Sequence, residues 1–435
     1  MVTIQEYQLR RQTLAQCLPE NSVAVIPAAR EVLRNGDSHY RFRQESNFYY
    51  LTGFQEPEAV LVILAQPHYQ VVLFNRPRDP HAEQWCGKRL GQDDALAELG
   101  VDVAHPLSAL ETQLPLLFRG KQHIVYPVGQ DRAWDKRIID TWVQTKKQLR
   151  SGFIVPEAIQ DLAPILGEMR LLKSPAEMAW MRAAADITVQ GHQQAMRFCQ
   201  KAQHEYELEA VLRHAFMRQG CRSVAYDSIV AGGHNACTLH YTANDKPLVP
   251  GELVLIDAGA EFQCYAADVT RTFPINGQFS TEQRLIYDLV LRAQQTGIAL
   301  VRPGTPWSAI QEAMVAVLTQ GLVDLGILQG GIDDLIATQA YQPFYMHTSG
   351  HWLGLDVHDC GVYRVAGEWR TLQAGMVLTV EPGLYIAKGM PGVDKRWWGI
   401  GVRIEDDIAV TADGHDNLTV ALIKDSSEIE VFMNG

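Results

Sequence analysis

The chain has 435 residues, 47% hydrophobic and 20% charged, with a formal net charge of −12. That length exceeds one ordinary core and implies two domains, and an acidic chain with no overriding Lys/Arg cluster excludes nucleic acid as a partner. No stretch approaches the roughly 20 apolar residues of a membrane helix, and the polar start bearing Arg10-Arg11 has no apolar signal core, so a cytoplasmic protein with no membrane partner is expected. The seven cysteines are odd in number and include no C-x-x-C pair, which implies reduced thiols.

Residues 1–168 read as an α/β domain. Apolar strands are expected at Ser22–Pro27, Ala59–Ala65, Gln70–Phe74 and His123–Tyr126, and helices at Asp93–Leu99 and Arg132–Lys147. No metal-ligating residues collect here, and the region reads as a scaffold or oligomerisation domain.

A boundary near Glu168–Lys173 opens a second domain, 174–435. Ser174-Pro175-Ala176-Glu177 is a helix start, with Ser at the N-cap, Pro at the first position and Glu at the third. Met178, Met181, Ala185 and Val189 follow on one face, and a second helix around Tyr206–Arg218 ends at Gly220. The same layout returns. Ser280-Thr281-Glu282-Gln283 caps another helix, and Pro303-Gly304-Thr305-Pro306 begins a further one, expected to end at Gly321. Helix–helix–strands therefore occurs twice, about a hundred residues apart, as in a pseudo-twofold repeat.

Five residues in this half carry the chemistry: Asp257, Asp268, His351, Glu381 and Glu405. Asp257 ends the apolar run Leu253–Ile256, and Asp268 falls in the strand-like stretch Ala266–Phe273. A symmetric hairpin between them would place the two aspartates opposite each other, with Cβ atoms about 5 Å apart. Glu381 closes Val377–Val380 before Pro382-Gly383, and Glu405 ends an alternating stretch in which it shares a face with Gly401 and Arg403. Burying four carboxylates costs several kcal/mol each unless cations neutralise them. Two divalent ions would do so, charge for charge, and carboxylates with one imidazole suit Mn²⁺ better than structural zinc. Such a pair can activate a shared water for attack on a carbonyl while a carboxylate passes the proton to the leaving nitrogen.

His347 and His351 have the spacing of a zinc-protease helix, but Thr348 replaces the required Glu and Gly350 and Gly354 oppose a helix. The segment reads instead as an irregular strand or loop. His240 carries little weight alone, and no phosphate loop or nucleophile elbow competes.

Leu255-Ile-Asp257-Ala-Gly, Asp268-Val-Thr-Arg-Thr-Phe273, His351-Trp-Leu-Gly-Leu-Asp-Val-His358-Asp, Thr379-Val-Glu381-Pro-Gly-Leu-Tyr385 and Gly401-Val-Arg403-Ile-Glu405 together resemble the bacterial Xaa-Pro aminopeptidases (aminopeptidase P). Tyr40–Gln44 and Tyr50–Ala59 are similar to that family's N-terminal domain. The resemblance implies an α/β N-terminal domain followed by an α+β pita-bread catalytic domain. The implied activity is removal of an N-terminal residue that precedes proline, by a hydroxide bridging two divalent metal ions, preferably Mn²⁺. It assigns Asp257, Asp268, His351, Glu381 and Glu405 to the metals, with Asp268 and Glu405 bridging and Glu381 also shuttling the proton. His240, His358 and Arg403 would hold the peptide and the tetrahedral intermediate; His347, Tyr385, Asp37 and Trp85 are further substrate-binding carry-overs. The partners implied are peptides with proline second, together with further copies of the chain in a dimer or tetramer. The segment 387–398 is expected to rim the cleft, with Trp397-Trp398 either packing or touching substrate. A prolidase acting on Xaa-Pro dipeptides, a creatinase-like enzyme without metal, and a metal-free pita-bread binding protein are the alternatives.

Overall fold

The computed structural model describes residues 2–435. The chain divides into two compact units, one ending at Arg170 and the other spanning Leu171–Gly435.

The first unit is built on a six-stranded sheet in the order Val103–Pro106, Gln70–Asn75, Val60–Leu64, Ser22–Pro27, His123–Tyr126, Ala158–Asp161. Ser22–Pro27 runs antiparallel to Val60–Leu64 and parallel to His123–Tyr126. The run Val-Leu-Val-Ile-Leu is buried throughout, as for a strand covered on both faces. The opening helix, Ile4–Cys17, gives no sequence signal because it lacks an apolar stripe. It docks through buried Arg10 and Arg11, whose guanidinium groups donate to the carbonyls of Tyr50, Leu51, Leu99 and Gly100.

In the second unit both capping boxes form, opening Pro175–Phe198 and Thr281–Ala299. Each of these helices packs with the next one, Glu205–Arg218 and Trp307–Asp324 respectively. The last helix does not stop at Gly321. That glycine is buried in the helix, where an added Cβ would come within 2.2 Å of Leu289 Cδ1, so it serves close helix packing.

The strands form two long interrupted hairpins. In the first, Leu253–Asp257 and Ala260–Phe262 return through Tyr265–Ala266 and Thr270–Pro274. Gln263 and Cys264 make the turn, with φ of 52° and 65°, as a two-residue hairpin turn with two left-handed residues requires. Phe262 thus pairs with Tyr265 and Asp257 with Thr270. The symmetric pairing expected for the aspartates is wrong by two residues, because the turn lies one residue later than the midpoint between them. Asp268 also lies outside strand structure, in the break between Ala266 and Thr270.

In the second hairpin, Val377–Val380 and Gly383–Ile386 return through Ile400–Arg403 and Asp406–Val410. Val380 pairs with Asp406 and Gly383 with Arg403, so Glu381 and Glu405 face each other across the interruption. Glu405 is therefore not the end of an alternating strand, which stops at Arg403. The segment 349–353 runs beside this hairpin: Glu381 N donates to Ser349 O, Thr379 N to His351 O and Leu353 N to Val377 O. Gly350 is required there, since a Cβ would stand 2.1 Å from Thr379 O. Trp397 is 2% exposed in the core and Trp398 donates from Nε1 to Val393 O, so this pair packs structurally.

Candidate metal centre

The breaks in the two hairpins open on one cavity of about 530 Å³. Asp257, Asp268, His351, Glu381 and Glu405 line it, together with His240, His347, His358 and Arg403. Backbone that leaves the ladder at Asp268, Glu381 and Glu405 is free to aim these side chains inward, while the flanking strands fix their positions.

Ligating atoms of Asp268, His351 and Glu405 lie within 4.8 Å of one another. His351 Nε2 is 3.2 Å from Asp268 Oδ2 and 3.7 Å from Glu381 Oε1. Its Nδ1 is 3.0 Å from Trp352 O, which places the proton of the neutral ring on Nδ1 and leaves Nε2 as a ligand. Asp257 and Asp268 are joined by Tyr226, whose hydroxyl stands 2.5 Å from Oδ1 of each. Thr270 donates to Glu405 Oε2 at 2.6 Å and accepts from Arg403 Nε at 3.1 Å. Arg403 also donates from Nη1 to Tyr385 OH at 3.0 Å and from Nη2 to Asp257 Oδ2 at 2.5 Å. Tyr385 is buried behind the wall, its hydroxyl also 2.8 Å from His347 Nε2, so it braces two cavity residues from outside the lining. On the cavity wall the rings of His351 and His358 meet edge to face at 4.4 Å. The lip residue Ser349 is fixed by Gln311, which accepts from its backbone N at 2.6 Å.

Four carboxylates face one guanidinium, and the proton affinities show the imbalance. Burial raises Glu381 to about 7 against the pull of His351 and Arg403. Burial, then Asp268 and Glu381, pushes Glu405 well above the carboxylate range. Asp268 is raised by burial and by Asp257. Burial alone would lower His351, but its hydrogen bond to Asp268 and the nearby acids raise it to about 9. His347 is lowered to about 4 by burial and Arg403, so it is a neutral ring at pH 7. A site that binds protons this tightly is short of positive charge. Two divalent ions would supply four positive charges for four carboxylates, and oxygen ligands with one imidazole match hard or borderline divalent metals. The residues fit such a pair.

Sequence reading missed Tyr226, Thr270, Thr379 and Asp407. Thr379 accepts from His351 N, and Asp407 accepts from Asp268 N at 3.2 Å. Thr270, Thr379 and Asp407 each lie two residues from a candidate ligand, Asp268, Glu381 and Glu405 respectively, whereas Tyr226 has no such neighbour. Asp37 and Trp85 are not among the residues that the second unit brings together. Both belong to the first unit, Asp37 in an exposed two-residue turn and Trp85 on the helix Pro80–Cys86 with 79% of its surface exposed.

Residues 179–412 match the model of metallopeptidase family M24, and residues 7–126 match the aminopeptidase P N-terminal domain. The chain is 47% identical to the Xaa-Pro aminopeptidase of Escherichia coli over 434 residues, covering 99% of this chain and 98% of that one. It is 44% identical to the Haemophilus influenzae Xaa-Pro aminopeptidase over 431 residues, covering 99% and 97%. The solved structure of Pseudomonas aeruginosa aminopeptidase PepP superposes with a TM-score of 0.97 at 46% identity, covering 100% of this chain and 99% of that one. Zinc-substituted E. coli aminopeptidase P in complex with product gives 0.97 at 47% identity, covering 100% and 98%. The fold is accordingly an aminopeptidase P N-terminal α/β domain followed by a pita-bread catalytic domain. With these motifs, this cavity and these matches together, the chain belongs to metallopeptidase family M24, in its aminopeptidase P branch.

Proposed function

We propose that the chain is a metal-dependent Xaa-Pro aminopeptidase, hydrolysing the bond between an N-terminal residue and a following proline. The observation that carries the reading is the meeting of four carboxylates and His351 on one cavity, in a chain alike over its whole length to enzymes of that name.

Asp257, Asp268, His351, Glu381 and Glu405 would hold two divalent ions; Mn²⁺ is the ion we favour from the ligand chemistry. When bound, the ions activate a water and polarise the peptide carbonyl. Glu381 is suited to take the water's proton and deliver it to the leaving proline nitrogen, since its carboxylate lines the cavity 3.7 Å from His351 Nε2. Arg403 fixes Asp257 and cannot itself lose a proton there, so it holds the positive end of the site constant. His240 and His358 face the same cavity, where they can donate to the peptide carbonyl and the developing oxyanion. Neutral His347 adds a polar contact at the lip. Leu239, Trp307, Tyr363 and Trp369 supply an apolar wall against which a pyrrolidine ring packs. Asp37 and Trp85 enter through the family resemblance, with loss of affinity in Asp37→Ala and Trp85→Ala as the check. No described helix is long and apolar enough to cross a membrane; we place the protein in the cytoplasm, as a dimer or tetramer.

The test compares an Xaa-Pro-Yaa tripeptide with an Xaa-Pro dipeptide at equal metal loading. Cleavage of the tripeptide at the first bond supports the reading, and cleavage of the dipeptide alone would make the protein a prolidase.

A further inference from the structure

Glu205 is the first residue of the helix Glu205–Arg218 and is wholly buried. Its carboxylate is met by donors that are all neutral. Oε1 accepts from Gly232 N at 2.8 Å and Asn235 Nδ2 at 2.9 Å, while Oε2 accepts from Tyr241 OH at 2.8 Å and Lys246 N at 2.9 Å. A buried carboxylate without a cation is costly, and it persists where it is fully hydrogen-bonded. Gly232 N and Lys246 N lie at the two ends of the segment 232–246, with Asn235 near its start and Tyr241 beside His240, which with Leu239 stands on the cavity wall. Among the described residues His240 makes no side-chain hydrogen bond of its own, so its reach into the cavity depends on how the loop is held. Asn244 tightens the same loop from the other side, accepting from Val230 N and donating to Ser228 O.

We infer that Glu205 is a positioning residue for His240: one buried carboxylate ties both ends of the loop and thereby sets where the imidazole meets the substrate. This rests on the role given to His240 above. Glutamine keeps the shape but not the chemistry. Whichever way its amide turns, an NH₂ group faces a backbone N–H, of Gly232 or of Lys246, and one end of the loop is released.

The test is a double-mutant cycle on the metal-loaded enzyme with an Xaa-Pro-Yaa peptide. Glu205→Gln is expected to lower kcat/KM about tenfold or more, with bound metal per chain unchanged, and to cost less than about twofold once His240→Ala is already present. The His240 imidazole NMR signal, identified by its loss in His240→Ala, should shift in Glu205→Gln. Tyr241→Phe, which removes one donor and spares the backbone, should move the same signal with a smaller activity loss, and it serves if Glu205→Gln does not fold. Additive losses in the cycle together with an unmoved His240 signal overturn the inference. Full activity in His240→Ala would instead defeat the role of His240, and the NMR shift would still report whether Glu205 positions it.

Discussion

Glu405 and Asp406 are neighbours in sequence, both buried, and electrostatically opposite. Asp406 accepts from Arg271 Nη2 at 2.7 Å, Lys424 Nζ at 2.5 Å, Gln294 Nε2 at 3.0 Å, Asn417 Nδ2 at 2.9 Å and Thr419 Oγ1 at 2.9 Å. Burial would raise its proton affinity, but Arg271 and Lys424 hold it well below the usual carboxylate range. Glu405, one residue earlier, faces three other acids and is pushed up instead. Asp406 brings its cations with the fold, whereas Glu405 stands where the fold leaves positive charge to be supplied from outside. Asp406, with built-in cations, is structural; Glu405 and the acids it faces are short of charge and mark the site, with Asp407 behind them also raised by burial and Asp268.

Substitutions on the two sides should therefore fail differently. Glu381→Ala is expected to lower turnover by about 10²–10⁴-fold and to reduce metal occupancy, while the fold survives; near-normal kinetics would remove Glu381 from the proton path. Asp406→Asn leaves Arg271 and Lys424 partly unpaired in the interior and should cost about 3–5 kcal/mol in urea unfolding. The same change should leave per-molecule metal content near that of the unaltered protein in whatever fraction folds. Tyr226→Phe removes the hydroxyl shared by Asp257 and Asp268 and should weaken metal binding about 10–100-fold, read by chelator competition.

Acid–base linkage separates the regions further. Glu381 rises to about 7 and His351 to about 9, so without metal the folded protein binds protons that the unfolded chain releases. That part of the stability is present at low pH and lost as pH climbs through about 7 and about 9. The midpoint of thermal unfolding in chelator should fall as pH is raised from 7 to 9, above the range in which His347 and His192, both lowered to about 4, add stability with rising pH. Added metal should stabilise most at the alkaline end, where protons no longer compete. A chelated protein that gains stability over that range would contradict the electrostatic account.

The four carboxylates were legible because each ends or interrupts a strand-like run, and a buried acid there calls for a counter-charge; His351, in a Gly-interrupted loop, has no such run before it. The capping boxes at Ser174 and Ser280 were legible for the same local reason: the motif and its hydrogen bonds lie within four residues. What failed was register. Gln263-Cys264 carries none of the Asn-Gly signal of a two-residue turn, so the pairing of Asp257 was misplaced. Gly321 looked like a stop because its packing partner, Leu289, lies on another helix. Tyr226 was invisible since its role depends on two residues at least 31 positions away. The turn offers the mildest test: Gln263→Asn, at an exposed left-handed position with φ of 52°, should stabilise the protein by about 0.5 kcal/mol with activity unchanged, and clear destabilisation would deny the register.

The cavity is expected to hold divalent metal for peptide cleavage. Metal analysis of the purified protein, run beside cleavage of an Xaa-Pro-Yaa peptide with and without Mn²⁺, tests it most directly. About two ions per chain are expected at saturation, with activity that is lost in chelator and restored by Mn²⁺. Fewer than about one ion per chain, with no metal-dependent cleavage, would contradict it and leave a binding protein on the pita-bread fold.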